Sequence, residues 1–117
     1  MKIIRFAEAD SYEPHKDWKR VSLCAEKNIS VEHFVKPPLH ASPLHSHENE
    51  QVMVVIKGRM RVYSEGAGEH ILNEGDTAFF SPGEPHRITN CLDTPSVGID
   101  IFYPGRPFDF WLKRKGV

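Results

Sequence analysis

The feature that most constrains this chain is the regular return of turn residues. Lys57-Gly58, Glu65-Gly66-Ala67-Gly68, Asn73-Glu74-Gly75 and Ser81-Pro82-Gly83-Glu84-Pro85 cut the region after Val21 into short runs, and each cluster has the chemistry of a tight turn. The runs between them are rich in β-branched and aromatic residues, at the spacing of about 8–12 residues found in sandwiches and barrels. They predict strands over Val21–Cys24, Ile29–Val35, Leu44–Ile56, Arg59–Ser64, Glu69–Leu72, Asp76–Phe80, His86–Asn90 and Val97–Phe102. No long stretch free of glycine and proline carries a 3.6-residue apolar period in this central region, so no helix is expected there. The class is therefore all-β. Eight or so short strands solve the problem of exposed edges by folding into two facing antiparallel sheets.

At 117 residues, the chain has room for one domain over 1–117 and one packed core. Residues 1–20 are polar and weakly patterned, an N-terminal arm or a short edge strand. Residues 108–117 form a tail whose aromatic part, Phe108–Leu112, is expected to pack against the barrel or a second subunit. The formal net charge is −1 and the one dense basic run is Lys113-Arg114-Lys115, read as a solvated end, so no nucleic-acid partner is expected. Cys24 and Cys91 fit no C-x-x-C spacing and are read as free thiols. The apolar stretch at the N-terminus is too short for a signal peptide or a membrane span, which leads to the expectation of a cytoplasmic protein with no membrane partner.

His45, His47 and Gln51 share the same parity, and a strand sends residues of equal parity to one face. His86 opens a later strand just after a turn, and a neighbouring or facing sheet brings it to the same point. Imidazole nitrogens suit zinc, iron, nickel and related ions, and a glutamine oxygen is a weaker, neutral fourth ligand. One divalent transition metal (Ni, Zn, Fe, Mn or Co) is therefore expected on His45, His47, Gln51 and His86. Because all four ligands are neutral, the full double charge stays at the site, which favours Lewis-acid chemistry on a small anionic substrate. Glu50 has the opposite parity and faces away. A β-bulge would reverse that and make His45, His47, Glu50 and His86 the alternative set.

The stretch His45-Ser46-His47-Glu48-Asn49-Glu50-Gln51, ending at Gly58, resembles the first motif of the cupins. Gly75, Gly83, His86 and Asn90 resemble the second motif, although Ser81 stands where that motif usually has proline and Gln51 stands where the first usually has glutamate. The resemblance implies a double-stranded β-helix, or jelly-roll barrel. The segment from Val97 through Phe110 is similar to the C-terminal part of the pectin-degradation cupins that act on unsaturated uronates, a likeness covering roughly residues 30–112. In those proteins an aspartate, a phenylalanine and an arginine line the metal pocket, and the matching positions are Asp100, Phe102 and Arg106.

What that resemblance implies is conversion of a cyclic 4,5-unsaturated uronate, released from pectin or alginate, to its linear keto form. Asp100 would move the proton, Arg106 would pair with the uronate carboxylate, and Phe102 would support the sugar ring. Such chemistry needs an acid/base group and an oxygen-polarising cation, and arginine's planar fork suits a carboxylate. The fold alone does not fix the activity. A metal-dependent dioxygenase and a non-catalytic small-molecule-binding cupin stay open beside the isomerase. Homodimerisation fits all three.

His15, His33, His40 and His70 lie outside both motifs and are read as solvent-facing or hydrogen-bonded. Met53 and Val55 share the parity of Gln51 and are expected to wall the pocket.

Overall fold

The computed structural model describes residues 1–114 and 116–117; of the basic run, Lys115 lies outside the described residues. Among the described residues, nine strands carry the fold: β1 Ser11–His15, β2 Trp18–Ala25, β3 Ser30–Lys36, β4 Glu50–Lys57, β5 Arg59–Ser64, β6 Gly68–Asn73, β7 Thr77–Phe80, β8 His86–Asn90 and β9 Ser96–Tyr103. The only helical pieces among the described residues are 3₁₀ turns at Phe6–Glu8 and Phe110–Lys113. None is long or apolar enough to cross a membrane.

Six strands form one antiparallel sheet in the order β1-β2-β3-β9-β4-β7, and β6-β5-β8 form a second. The chain's last strand is thus a central one, paired with β3 on one side and β4 on the other. The N-terminal region supplies an edge strand, β1, and the first residues of β2. The turn at Gly58 between β4 and β5 takes a positive φ of 90°, a conformation that costs glycine little.

The strand expected over Leu44–Ile56 is shorter than the sequence suggests. Regular pairing begins at Glu50, and residues 44–49 form a loop tied to β8 by a single bridge between His45 and His86. Two ring nitrogens explain the break. His45 Nδ1 bonds the carbonyl of Pro43 at 2.8 Å and His47 Nδ1 that of Asn49 at 3.1 Å, and such local bonds compete with a ladder.

The interior has two characters. Met53, Val55, Met60, Val62, Phe80 and Ile88 pack as one apolar cluster. The inner faces of β2, β3 and β9 instead bury Arg20, Glu32, Lys36 and Asp100. The C-terminal turn inserts Trp111, 3% exposed, against Trp18, so the aromatic tail packs on its own barrel. Beyond it Lys113 pairs with Asp109 at 3.3 Å and Arg114 lies over the Phe110 ring.

Candidate metal centre

The imidazoles of His45, His47 and His86 place one ring nitrogen each within 4.8 Å of one another. His45 and His47 come from the loop before β4, and His86 from the first position of β8, where the backbone groups of His45 and His86 bond each other at 3.1 and 2.9 Å. That reciprocal bridge brings two distant parts of the sequence together. Phe80 stacks on His86 with ring centroids 4.1 Å apart, and Trp111 meets the edge of His45 at 4.6 Å.

Tautomers follow from the partners. Each Nδ1 faces a backbone carbonyl: Pro43 for His45, Asn49 for His47, and Glu84 for His86 at 2.7 Å. A carbonyl only accepts, so Nδ1 carries the hydrogen and Nε2 keeps a lone pair in all three rings. Burial lowers the pKa of His45 to about 2 and of His47 to about 4, and also lowers that of His86, with neighbouring positive charges adding to the effect on each. The rings are neutral at physiological pH, as ligands must be.

Gln51 lies beside the three rings. It is 2% exposed and faces inward, while Glu50 beside it is exposed and the β4–β9 register runs without a bulge across the pair. The alternative with Glu50 as a ligand is thus not what the backbone presents. Gln51 Nε2 donates to Asp100 Oδ1 at 2.9 Å, and a carboxylate oxygen accepts only from the NH₂ end of the amide. Oε1 is thereby turned toward the rings, 2.9 Å from His47 Nε2 and 3.2 Å from His86 Nε2. With the tautomers above, these are lone pairs facing lone pairs, an arrangement that a shared cation would satisfy. The donor set suits a divalent transition metal.

Asp100, Phe102 and Arg106 also lie inside. Asp100 accepts from Arg20 Nη2 at 2.7 Å, and Arg20 Nε bonds Glu32 at 2.7 Å. Burial alone would lower the Arg20 pKa, but the two carboxylates raise it above its usual value. Arg106 is held by its backbone N–H on Ser30 Oγ at 2.9 Å. Its guanidinium is 3.9 Å from the Phe102 ring centroid and 4.0 Å from that of Phe110, with Nη2 3.5 Å from Glu32 Oε2. It is therefore already engaged with a carboxylate of its own chain, and burial lowers its pKa to about 10.

Asp100 and Arg106 line one cavity of about 10 Å³, together with His45, Gln51, Lys36 and Trp18. That is near the lower limit for one water. Sequence reasoning missed Arg20, Glu32, Lys36 and Trp111. The usable signal was shared parity: Trp18 with Arg20, and Glu32 with Phe34 and Lys36, so that charges alternate with large aromatics on the same strand faces.

The sequence profile of the cupin domain matches residues 33–102. No curated protein matches the chain in sequence. Among solved structures, an RmlC-like cupin from Shewanella frigidimarina is similar at 23% identity, over 94% of this chain and 96% of its own, with a TM-score of 0.82. KdgF from Halomonas sp. is similar at 22% identity, over 94% and 98%, with a TM-score of 0.82. The polyketide cyclase RemF from Streptomyces resistomycificus is similar at 19% identity, over 92% and 82%, with a TM-score of 0.75. At these identities the likeness establishes the shared double-stranded β-helix.

Proposed function

This chain belongs to the cupin domain family, and on that premise we propose that it is a metal-dependent isomerase that opens a cyclic 4,5-unsaturated uronate and ketonises it. The observation that carries the reading is the Gln51–Asp100 hydrogen bond of 2.9 Å, which sets a buried carboxylate directly behind the lone-pair cluster of His45, His47, Gln51 and His86. A divalent cation held by these four residues would supply Lewis acidity at a substrate oxygen.

The chain's own groups account for the proton transfers. Asp100 pairs with the Arg20 guanidinium at 2.7 Å, and each of its carboxylate oxygens keeps a second lone pair for a substrate proton. It takes the proton of the anomeric hydroxyl. The C1–O5 bond then breaks with its electron pair passing to the ring oxygen, and C1 becomes the aldehyde carbon. Returning that proton to C4 converts the resulting enolate to the C5 ketone, so atoms and electrons balance without a redox partner. Phe102 supports the ring, and Arg106, whose charge is already matched by Glu32, offers its unpartnered Nε–H to a substrate oxygen. A sugar acid needs far more room than this cavity gives, so binding requires its walls to rearrange.

One observation favours a second reading, a non-catalytic binding protein: both carboxylate oxygens of Asp100 are already hydrogen-bonded. A proton NMR time course separates the two. Metal-loaded protein should clear the cyclic signals of a 4,5-unsaturated galacturonate faster than the metal-free protein and the Asp100→Ala variant. Identical spontaneous rates in all three would sink the isomerase. The proposal includes a cytoplasmic homodimer, for which exposed Ile3, Ile4 and Phe6 offer apolar surface.

A further inference from the structure

Several donors on the cavity wall have nothing to donate to. The indole Nε1 atoms of Trp18 and Trp111 are buried without a hydrogen-bond partner, as is Nε of Arg106. Lys36 is 1% exposed, and its Nζ lies over the Trp18 ring at 4.1 Å from the centroid. It takes part in none of the ion pairs among the described residues.

The charges around it are otherwise balanced. Arg20 and Arg106 face Glu32 and Asp100, two guanidinium groups against two carboxylates. Lys36 is the surplus. A buried ammonium without a counter-ion is unfavourable, and burial, aided by the Arg20 charge, lowers its pKa to about 7.

Strand register separates the backbone of Lys36 from that of Gln51. Lys36 stands opposite Ser96 of β9, whereas Gln51 stands opposite Phe102. From Ser96 to Phe102 an extended strand covers about 20 Å at roughly 3.3 Å per residue. Lys36 and Gln51 nevertheless line the same cavity, so the interior offers a lone-pair cluster from one end of β9 and an unmatched ammonium from the other.

We propose that Lys36, whose Nζ lies over the Trp18 ring on a cavity wall that also carries Trp111, is a carboxylate-binding subsite that takes the acid group of a sugar acid. One uncompensated positive charge matches a monoanion better than a phosphate dianion, and the two indole donors give the carboxylate oxygens further partners. The inference rests on reading the cavity as a sugar-acid site, and it moves the acid group from Arg106 to Lys36.

The probe is D-galacturonate, which carries the acid but no double bond to react. The chain's two tryptophans are Trp18 and Trp111, so intrinsic fluorescence reports directly on this wall. Titrating the metal-loaded protein should give a saturable change with galacturonate at least about tenfold tighter than with neutral D-galactose. Lys36→Met should remove that preference and Lys36→Arg should restore part of it. Circular dichroism and thermal unfolding establish that each variant is folded. If Lys36→Met destroys the fold, Lys36→Gln replaces it under the same criterion.

Galacturonate binding that is equally tight in wild type and Lys36→Met overturns the proposal, and so does tighter binding of galactose 6-phosphate than of galacturonate. Failure of the isomerase looks different. Lys36-dependent binding without turnover removes the reaction and leaves the subsite. Turnover whose KM is unchanged by Lys36→Met removes the subsite and leaves the reaction.

Discussion

Gln51 and Asp100 share one hydrogen bond, Nε2 to Oδ1 at 2.9 Å, and that bond decides which end of the Gln51 amide faces the histidines. Neither side chain could set this orientation alone, because an amide flips freely when its two ends have equivalent surroundings. Arg20 fixes the other oxygen of Asp100 at 2.7 Å, so the chain of control runs from a buried guanidinium to the candidate metal ligand.

Asp100→Asn tests that control. An asparagine can present either its oxygen or its NH₂ to Gln51, so the amide loses its fixed direction. Metal affinity measured by calorimetry should fall roughly 10–100-fold, the usual cost of losing a group that orients a ligand. An unchanged affinity would mean that Gln51 does not bind the ion through Oε1.

Acid should destabilise the metal-free protein. Burial holds His40 and His47 down to about 4 and His45 to about 2, whereas the unfolded chain protonates its histidines near 6.5. Below that pH the unfolded state binds more protons, so stability falls as the pH drops from about 6.5 toward 4. Urea midpoints measured over this range should decline with acidity, and a saturating divalent metal should hold them higher at pH 6.5 than chelation does. A midpoint that rises on acidification would contradict the buried, neutral histidines.

Trp111→Ala removes the aromatic plug. A buried tryptophan truncated in a core costs about 3–5 kcal/mol, and Trp111 is 3% exposed between Trp18 and His45. Chemical denaturation should register a loss of that size, and a chelator should strip metal from the variant faster than from wild type. A variant as stable as wild type would show that the C-terminal turn is not packed as described.

Gly98→Ala probes the tightest point of the central strand. A methyl group at Gly98 would overlap the Phe34 ring, and overpacking of this kind costs about 1–3 kcal/mol. Thermal unfolding of Gly98→Ala, Phe34→Leu and the double variant should show that the smaller leucine relieves much of the loss. Additive effects would mean that the ring already has room to move.

Much of this architecture can be read in the sequence, though sometimes for the wrong reason. Arg59–Ser64 and His86–Asn90 match the observed strands because glycine- and proline-rich turns flank them. Strand parity groups His45 and His47, yet they sit in a loop, and a bridge from His45 to His86 ties that loop to β8. The charged half of the interior is legible only through Phe34, which shares the parity of Glu32 and Lys36. On β3 the apolar Val31 and Val35 point outward and are half-buried, while Glu32 and Lys36 point in. Alternation by itself favours the opposite orientation. Arg20 from β2 pairs with Glu32 on that face and with Asp100 from β9, and no local pattern records partners so distant.

The central place of β9 also sets an order of events during synthesis. β3 and β4 are joined through β9 and not to each other, and the chain leaves the ribosome from its N-terminus. His45, His47, Gln51 and His86 all emerge before Ser96, where β9 begins. A nascent chain of that length already carries the four donors but has neither Asp100 to orient the amide nor a strand to close the sheet behind them. Capture of an ion in its final geometry is therefore deferred until the last strand has been translated.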